Sequence, residues 1–422
     1  MAKAHRRSSN TRFFQRKENP MERKGLVVMR VIFVTMLWLF PTFHVGSQSQ
    51  PVLTIHAESA VLMDGTTGQI LFQKAPDKQM SPASLAKMMT LYLAFDAVKR
   101  GSVKLDQEEV ISKRAWKMGG SQMFLKVGDR VKFIELIKGV AVISANDAAL
   151  AIAEFLTGSE EVFVHKMNEK AKALGLEHTH FINCHGLYAE GQQTSAVDMA
   201  HLGFHYIREH PDAVKFHALP EYIYRGIKQQ NWNTLLNRGK GVDGLKTGYL
   251  KKAGYHILFS AKRDSLRLLG VIMGAETAET RESNALKLIG YGFKNFSTRT
   301  LVKEGEVVGK VKVLQGDPQE VGLSATKALL VTVPKDREQS IPLRKEFPSS
   351  ANPPISKGDV LGRLVLEGEG FPRKEVDLVA TQDVGFKSYA TYYIIGFAAA
   401  GCLLVFVFWK RRTPRKKRKR RK

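Results

Sequence analysis

The apolar positions of this chain change their spacing several times, and each change marks an element. In "ESAVLMDGTTGQILFQKA", Glu58 to Ala75, short apolar runs flank the polar turn DGTTG, which predicts a β-hairpin. From Leu85 to Lys99 the spacing is helical and stops at Gly101, a residue suited to a helix C-cap. "VKFIELIKGVAVISANDAALAIAEFLTG", Val131 to Gly158, reads as two helical pieces broken around Ser144 to Asn146. "SAVDMAHLGFHYIREHP" is a further helix ended by Pro211. "GYHILFSAKRDSLRLLGVIMGA", Gly254 to Ala275, gives two antiparallel strands around KRDS, and "ETRESNALKLIGYGF" returns to helix. Strands at both ends with helices between them predict one α+β layer domain over residues 51–295.

From about Arg299 the texture is of short strands, "EVVGKVKVL", "KALLVTVP" and "DVLGRLVLEG", spaced by Gly, Pro and Asp. This predicts a small all-β domain over residues 296–380. Residues 381–388 lead on to "YATYYIIGFAAAGCLLVFVFW", Tyr389 to Trp409, which carries no charge over 21 residues. That length makes about 30 Å of helix, enough for a transmembrane anchor. Tyr389, Tyr392 and Tyr393 at one end and Trp409 at the other suit the two membrane interfaces. At the start of the chain a basic stretch precedes the apolar run Val31 to Phe40, which ends in small and polar residues. Residues 1–50 therefore read as a secretory signal region, with Met21 as an alternative start that gives the signal ordinary proportions.

Charge then sharpens the picture. The formal net charge is +25, but residues 1–30 contribute +7 and residues 410–422 contribute +11, leaving +7 for everything between. The folded part is mildly basic, which excludes a nucleic-acid partner as the reason for the charge. The basic tail 410–422 instead places itself in the cytoplasm and everything between signal and anchor outside, by the positive-inside rule. Cys184 and Cys402 are the two cysteines, one in the soluble part and one in the span, so they do not pair. Cys184 reads as a small buried hydrophobe.

Three short motifs carry candidate chemistry. "SPASLAKMMT" puts Ser84 and Lys87 one helical turn apart on one face. Taken alone, Ser84 is a cap and Lys87 a solvated side chain. "SAN", Ser144 to Asn146, lies at the break between two helices, and "KTG", Lys246 to Gly248, opens a strand. Alone, "SAN" is an ordinary helix cap. Together, in this order, in an exported chain, the three are specific. A serine hydroxyl needs an adjacent base, and a desolvated lysine loses its proton near neutral pH.

Ser-x-x-Lys, Ser-x-Asn and Lys-Thr-Gly form the signature of penicillin-binding proteins and class A β-lactamases. Over roughly residues 51–380 the chain more closely resembles the low-molecular-mass D-alanyl-D-alanine carboxypeptidases, through the stretches already quoted together with "LGLEHTHFINCHGLYAEGQQTS", "VDGLKTGYLKKAGY" and "ETRES". The resemblance implies a serine transpeptidase-like α/β domain followed by a small β domain. It implies removal of the terminal D-alanine from peptidoglycan stem peptides through an acyl-enzyme on Ser84, with Lys87 as base and β-lactams as covalent inhibitors. Ser144 would pass a proton to the departing amine, and Asn146 would hold the substrate amide and the lysine. Lys246 would supply positive charge, Thr247 a hydroxyl for a carboxylate, and Gly248 room for the substrate backbone against the strand. The backbone N–H groups of Ser84 and Tyr249 would form the oxyanion hole, and Arg281 would bind the free C-terminus.

The chain departs from the family at Ala145, where Gly is usual, at Tyr249, where His is frequent, and in the loop His185 to Gln192, where Tyr188 and Glu190 stand in place of Asp. His178, His180 and His185 match no standard zinc spacing, so no metal is assigned, and the scheme calls for no organic cofactor. A β-lactamase reading lacks the Glu-x-x-Leu-Asn segment between Asn146 and Lys246 that would activate a deacylating water. Two other readings stay open: an endopeptidase or transpeptidase of the same superfamily, and a catalytically silent wall-binding protein with the β module as its functional part. The complete motif set argues against the second.

Overall fold

The computed structural model describes residues 53–412 apart from 338–340 and 369–370. The expected signal region, residues 1–50, and positions 413–422 of the basic tail lie outside the described residues.

In chain order the main elements of the first part are β1 (Ser59–Asp64), β2 (Ile70–Lys74), α1 (Lys87–Lys99), α2 (Phe133–Ile143), α3 (Asn146–Thr157), α4 (Glu160–Ala173), α5 (Ala196–Glu209), β3 (Val242–Leu250), β4 (Gly254–Arg263), β5 (Leu266–Ala275) and α6 (Ala278–Asn295). The five strands form one antiparallel sheet in the order β2-β1-β5-β4-β3. All six residues of β1 are buried, because the strand is covered on both faces. Its alternation divides them as a pleat requires. Ala60 and Leu62 join Phe259, Leu268 and Ile272 in a core shared with Leu288 and Ile289 of α6. Val61 and Met63 join Leu258, Leu269 and Val271 in a larger core with α1 to α5. Helix α1 stops where Gly101, at φ +72°, donates to Val98 O and Ser102 donates to Ala97 O, each at 3.0 Å. That is the paired bonding of a glycine-terminated helix.

The second part begins without a linker: β6 (Phe296–Val302) follows directly on α6. It pairs with β9 (Leu329–Pro334), while β7 (Val307–Val313), β8 (Glu320–Ala325), β10 (Leu343–Glu346), β11 (Ser350–Ala351), β12 (Val360–Gly368) and β13 (Phe371–Ala380) make a six-stranded sheet in the order β10-β12-β13-β8-β7-β11. Period-two burial of Val311 and Val313, Val321 and Leu323, Leu364 and Leu366, and Val376 and Leu378 closes a separate core. Strand pairing runs past the expected limit at residue 380, since Gly316–Asp317 pairs with Gly385–Phe386. A last helix, α7 (Ala390–Arg412), follows.

A buried carboxylate ties the two cores together. Asp64 ends β1 with no solvent exposure. Its Oδ1 accepts from the backbone N–H of Thr66 at 2.6 Å and of Thr67 at 3.2 Å, closing the hairpin turn. Its Oδ2 accepts from the hydroxyls of Thr298 in β6 and Thr332 in β9, at 2.6 and 2.5 Å. A buried polar group persists only when its hydrogen-bonding capacity is satisfied in this way.

Candidate active site

The segment before α1 is a short 3-10 turn, Ala83–Ala86, entered through Ala83 at φ +48°, a conformation that non-glycine residues rarely adopt. A 3-10 turn has three residues per turn, so side chains three apart lie in line. Ser84 and Lys87 are so placed, with Lys87 Nζ 3.2 Å from Ser84 Oγ.

Lys87 is fully buried. Its Nζ donates to Asn146 Oδ1 at 2.6 Å and to the backbone carbonyl of His185. The orientation of the Asn146 amide follows from its other end, because Nδ2 donates to Gly119 O at 2.6 Å and a carbonyl only accepts. Two of the three Lys87 partners are therefore acceptors alone. A neutral amine has two hydrogens for them and one lone pair, which is left facing the Ser84 hydroxyl. Burial drives the Lys87 pKa down to about 7 against the nearby negative charge of Asp147, so the neutral form is accessible at ordinary pH.

Asn146 and Ser144 come from the break between α2 and α3. Helix α2 ends at Ile143, and Ser144 takes the left-handed conformation, φ 59° and ψ 31°. Asn146 N–H donates to Ser121 O at 2.7 Å. The next residue, Asp147, accepts from the N–H groups of Met123 and Leu125 at 3.1 and 3.2 Å, and burial raises its pKa. The break thus organises the loop around residues 119–125. Ser144 Oγ is buried without a hydrogen-bond partner.

Lys246, Thr247 and Gly248 lie in the middle of β3 rather than at its start. The expectation that they open the strand is corrected by Val242, Gly244 and Leu245, which already pair with Ala261, Ser260 and Phe259 of β4. Lys246 is buried and donates to Thr247 O at 3.1 Å; burial first, then the charges of Lys87 and Arg281, hold its pKa well below the usual lysine value. Glycine at 248 is also required within the fold. A Cβ there would lie 3.2 Å from both Ala83 Cβ and Ser84 N, so the missing side chain admits the turn carrying Ser84 against the strand. Below the strand, His217 Nδ1 is 3.0 Å from Leu245 O and its Nε2 is 2.9 Å from the Tyr206 hydroxyl.

Ser84, Ser144, Thr247, Gly248, Tyr249 and Arg281 line one cavity of about 520 Å³, with Lys87, Asn146 and Lys246 buried around it. Arg281, near the start of α6, is 8% exposed instead of solvated, and its Nε has no hydrogen-bond partner. Tyr249 is half exposed, its ring 4.3 Å from that of Tyr255.

Several contributors carry no motif. The His185 carbonyl is one, and Gly186 beside it is another, at φ +83° with the space for a Cβ taken by Ala83 O at 1.9 Å. Asn183 and Gln192 hold this loop: Asn183 Oδ1 accepts from Gly186 N–H at 2.6 Å, and Gln192 Oε1 accepts from the N–H groups of Ile182 and Asn183 at 3.0 and 2.9 Å. Tyr188, which with Glu190 stands in place of Asp in this loop, is 64% exposed, with Lys252 Nζ 5.5 Å above its ring. His185 is buried, accepts from Leu187 N–H and lies 3.4 Å from Glu160; burial pushes its pKa down to about 3. Cys184 is buried as expected but also polar in its contacts, with Sγ 3.4 Å from Glu160 Oε1. His178 stands 3.5 Å from Asp77, and His180 pairs its backbone with Gln193.

The profile of the D-alanyl-D-alanine carboxypeptidase family matches residues 44–277, and that of the penicillin-binding protein 5 C-terminal domain matches residues 296–385. The D-alanyl-D-alanine carboxypeptidase DacF of Bacillus subtilis is 36% identical over 347 residues, covering 81% of this chain and 89% of its own length. DacA of Escherichia coli is 37% identical over 338 residues, covering 78% and 84%. The crystal structure of penicillin-binding protein 5 from Haemophilus influenzae superposes with a TM-score of 0.72 at 36% identity, covering 79% of this chain and 98% of that one. With the profile spanning more than half of the chain and relatives at this identity along most of its length, the chain belongs to the D-alanyl-D-alanine carboxypeptidase family and carries the C-terminal domain of its penicillin-binding protein 5 branch.

Proposed function

We propose that Ser84 is the nucleophile of a serine-type carboxypeptidase that removes the terminal D-alanine from peptidoglycan stem peptides. The observation that carries this reading is Lys87 Nζ at 3.2 Å from Ser84 Oγ with its other contacts to acceptors, at the edge of a cavity that ends on Arg281.

Ser84 Oγ attacks the carbonyl carbon of the penultimate D-alanine and Lys87 takes its proton. The backbone N–H groups of Ser84 and Tyr249 hold the oxyanion. The carbon–nitrogen bond then breaks, and the proton reaches the departing amine through Ser144, which lines the cavity and whose hydroxyl is unpartnered. Arg281 and Thr247 hold the leaving carboxylate. A water attacks the resulting ester, Lys87 again takes the proton, and the shortened peptide leaves with Ser84 restored. A β-lactam carbonyl meets the same serine, but its leaving amine stays tethered by the opened ring, so the acyl-enzyme persists as inhibition. The scheme requires no metal or organic cofactor.

The test is D-alanine release from a peptide ending in Lys-D-Ala-D-Ala, followed across pH. Because the base must be neutral, acylation rises with pH through the Lys87 value of about 7. The expected rate limb falls about tenfold per unit below pH 6 and is flat above pH 8. A limb centred near pH 10 would remove Lys87 as the base. No D-alanine release by a protein that still forms a penicillin adduct would leave the site intact and transfer the reading to crosslinked peptides.

Helix α7 is 23 residues long, and its apolar stretch Tyr392–Arg412 has a mean hydropathy of 2.1 and is entirely exposed, compatible with a membrane anchor. We propose a permanent single-pass anchor in the cytoplasmic membrane, with the catalytic part on the extracytoplasmic side and the basic tail in the cytoplasm. Membranes washed in high salt are expected to retain the protein and detergent to release it; full release by salt alone would refute the span.

A further inference from the structure

We propose that the leaving-group side of the cavity also takes C-terminal D-residues with aliphatic or aromatic side chains, and that Trp232 is the residue that selects them; this rests on the carboxypeptidase reading. The cavity, about 520 Å³ over the whole site, extends to Trp232, Thr234, Tyr255 and Ala278 beyond the residues assigned to the scissile bond. Among its lining residues the cation is Arg281, whose guanidinium suits the terminal carboxylate. Glu282, which also lines it, is already engaged by Arg238 at 2.5 Å and by the Thr234 hydroxyl at 2.9 Å. Beside the hydroxyls of Ser121, Ser144, Thr234 and Thr247, the wall offers the aromatic rings of Trp232, Tyr249 and Tyr255.

Trp232 is 58% exposed and yet held in place. Its backbone N–H donates to Val142 O at 3.4 Å, and its indole Nε1–H donates to Ile143 O at 3.1 Å. These are carbonyls in the last turn of α2, which have no partner within the helix. The polar edge of the indole is thereby used at the helix end that carries Ser144, while its faces stay apolar. The Tyr249 ring, 52% exposed, lines the same cavity and leans on Tyr255. A side chain larger than methyl that reaches these rings covers apolar surface, and rigid aromatics lose little entropy in receiving it. The competing account is that Trp232 only caps α2.

The full chain in detergent is assayed on three N-acetylated peptides ending in Lys-D-Ala-D-Ala, Lys-D-Ala-D-Leu and Lys-D-Ala-D-Phe, with release of the last residue as readout and penicillin acylation as a check on Ser84. The parent is expected to cleave the D-Leu and D-Phe peptides with kcat/KM within about tenfold of the D-Ala peptide. Trp232→Ala should lower kcat/KM for D-Phe at least tenfold more than for D-Ala. Trp232→Phe, which loses the N–H but keeps an aromatic face, should preserve the ratio. Should Trp232→Ala fail to fold, Tyr249→Ala, which keeps the backbone N–H, should shift the ratio the same way. Release of D-alanine without release of D-Leu or D-Phe by the parent overturns the proposal and leaves the carboxypeptidase standing. So does an equal loss on all three peptides in both Trp232 variants, the mark of a helix cap alone. Failure of the parent on all three peptides removes the carboxypeptidase reading and this proposal with it.

Discussion

Replacing Lys87 by methionine is expected to slow acylation by penicillin at least about 10³-fold with Ser84 still in place, and Ser84→Ala should leave no covalent adduct at all. Methionine keeps most of the volume of the buried stem and removes the amine, so the loss reads the base rather than a cavity. The same variant carries a stability signature. In the parent, Lys87 titrates near 7 when folded and near 10.5 when unfolded. Between those values the unfolded chain binds one more proton than the native one, so stability rises with pH across this window, by up to about 1.4 kcal/mol per unit from this group. Below pH 7 both states are protonated and the burial cost is at its largest. Denaturant melts of parent and Lys87→Met from pH 6 to 10 should therefore converge as pH rises, with the variant relatively more stable at the acid end. Asn146 Oδ1 and the His185 carbonyl lose a donor in the variant, which offsets part of that gain at every pH without changing its slope. Parallel curves would mean that Lys87 titrates alike in both states, and the account of a desolvated base would fall.

Gly186→Ala is expected to damage both fold and site although residue 186 has no reactive group. The glycine sits at φ +83°, and its absent Cβ leaves room for Ala83 O, which would otherwise be 1.9 Å away, and for Ala83 C at 2.5 Å. Backbone atoms cannot rotate aside, so either the loop or the turn carrying Ser84 must move. The first movement withdraws the adjoining His185 carbonyl from Lys87, and the second displaces the nucleophile. Gly191→Ala supplies the comparison. It has a similar φ, +80°, but its nearest neighbour is Ile182 Cδ1 at 4.0 Å, so it bears only the conformational cost of about 1–2 kcal/mol. Gly186→Ala should cost at least about 2 kcal/mol more than Gly191→Ala by thermal or denaturant melts, and should slow acylation at least about tenfold where Gly191→Ala does not. Equal effects from the two would show that the close approach to Ala83 is not a constraint.

The contrast between these variants marks what the chain discloses locally. The hairpin at Asp64, the helix ended by Gly101, the break at Ser144 and the strands around Lys262 to Ser265 are legible because apolar period and turn chemistry act between near neighbours. The motifs are legible for the same reason: Ser84 and Lys87 meet through three residues of backbone. The break at Ser144 also announces that something is presented there, although its left-handed conformation and bare hydroxyl are seen only in the fold.

The sequence by itself therefore determined the α+β class, the β module and the apolar last helix, and it carried the motifs from which the reactive side chains are proposed. Tertiary structure alone decided how those side chains are tuned. The Lys87 amine meets Asn146 across 59 residues and a carbonyl across 98, and a backbone carbonyl looks the same at every position of a sequence. Gly248 serves the nucleophile's turn, Trp232 closes the end of α2, and Asp64 joins two cores, none of which a residue type announces. Each depends on which surfaces come within a few ångströms after collapse, and close packing rather than local propensity sets that distance.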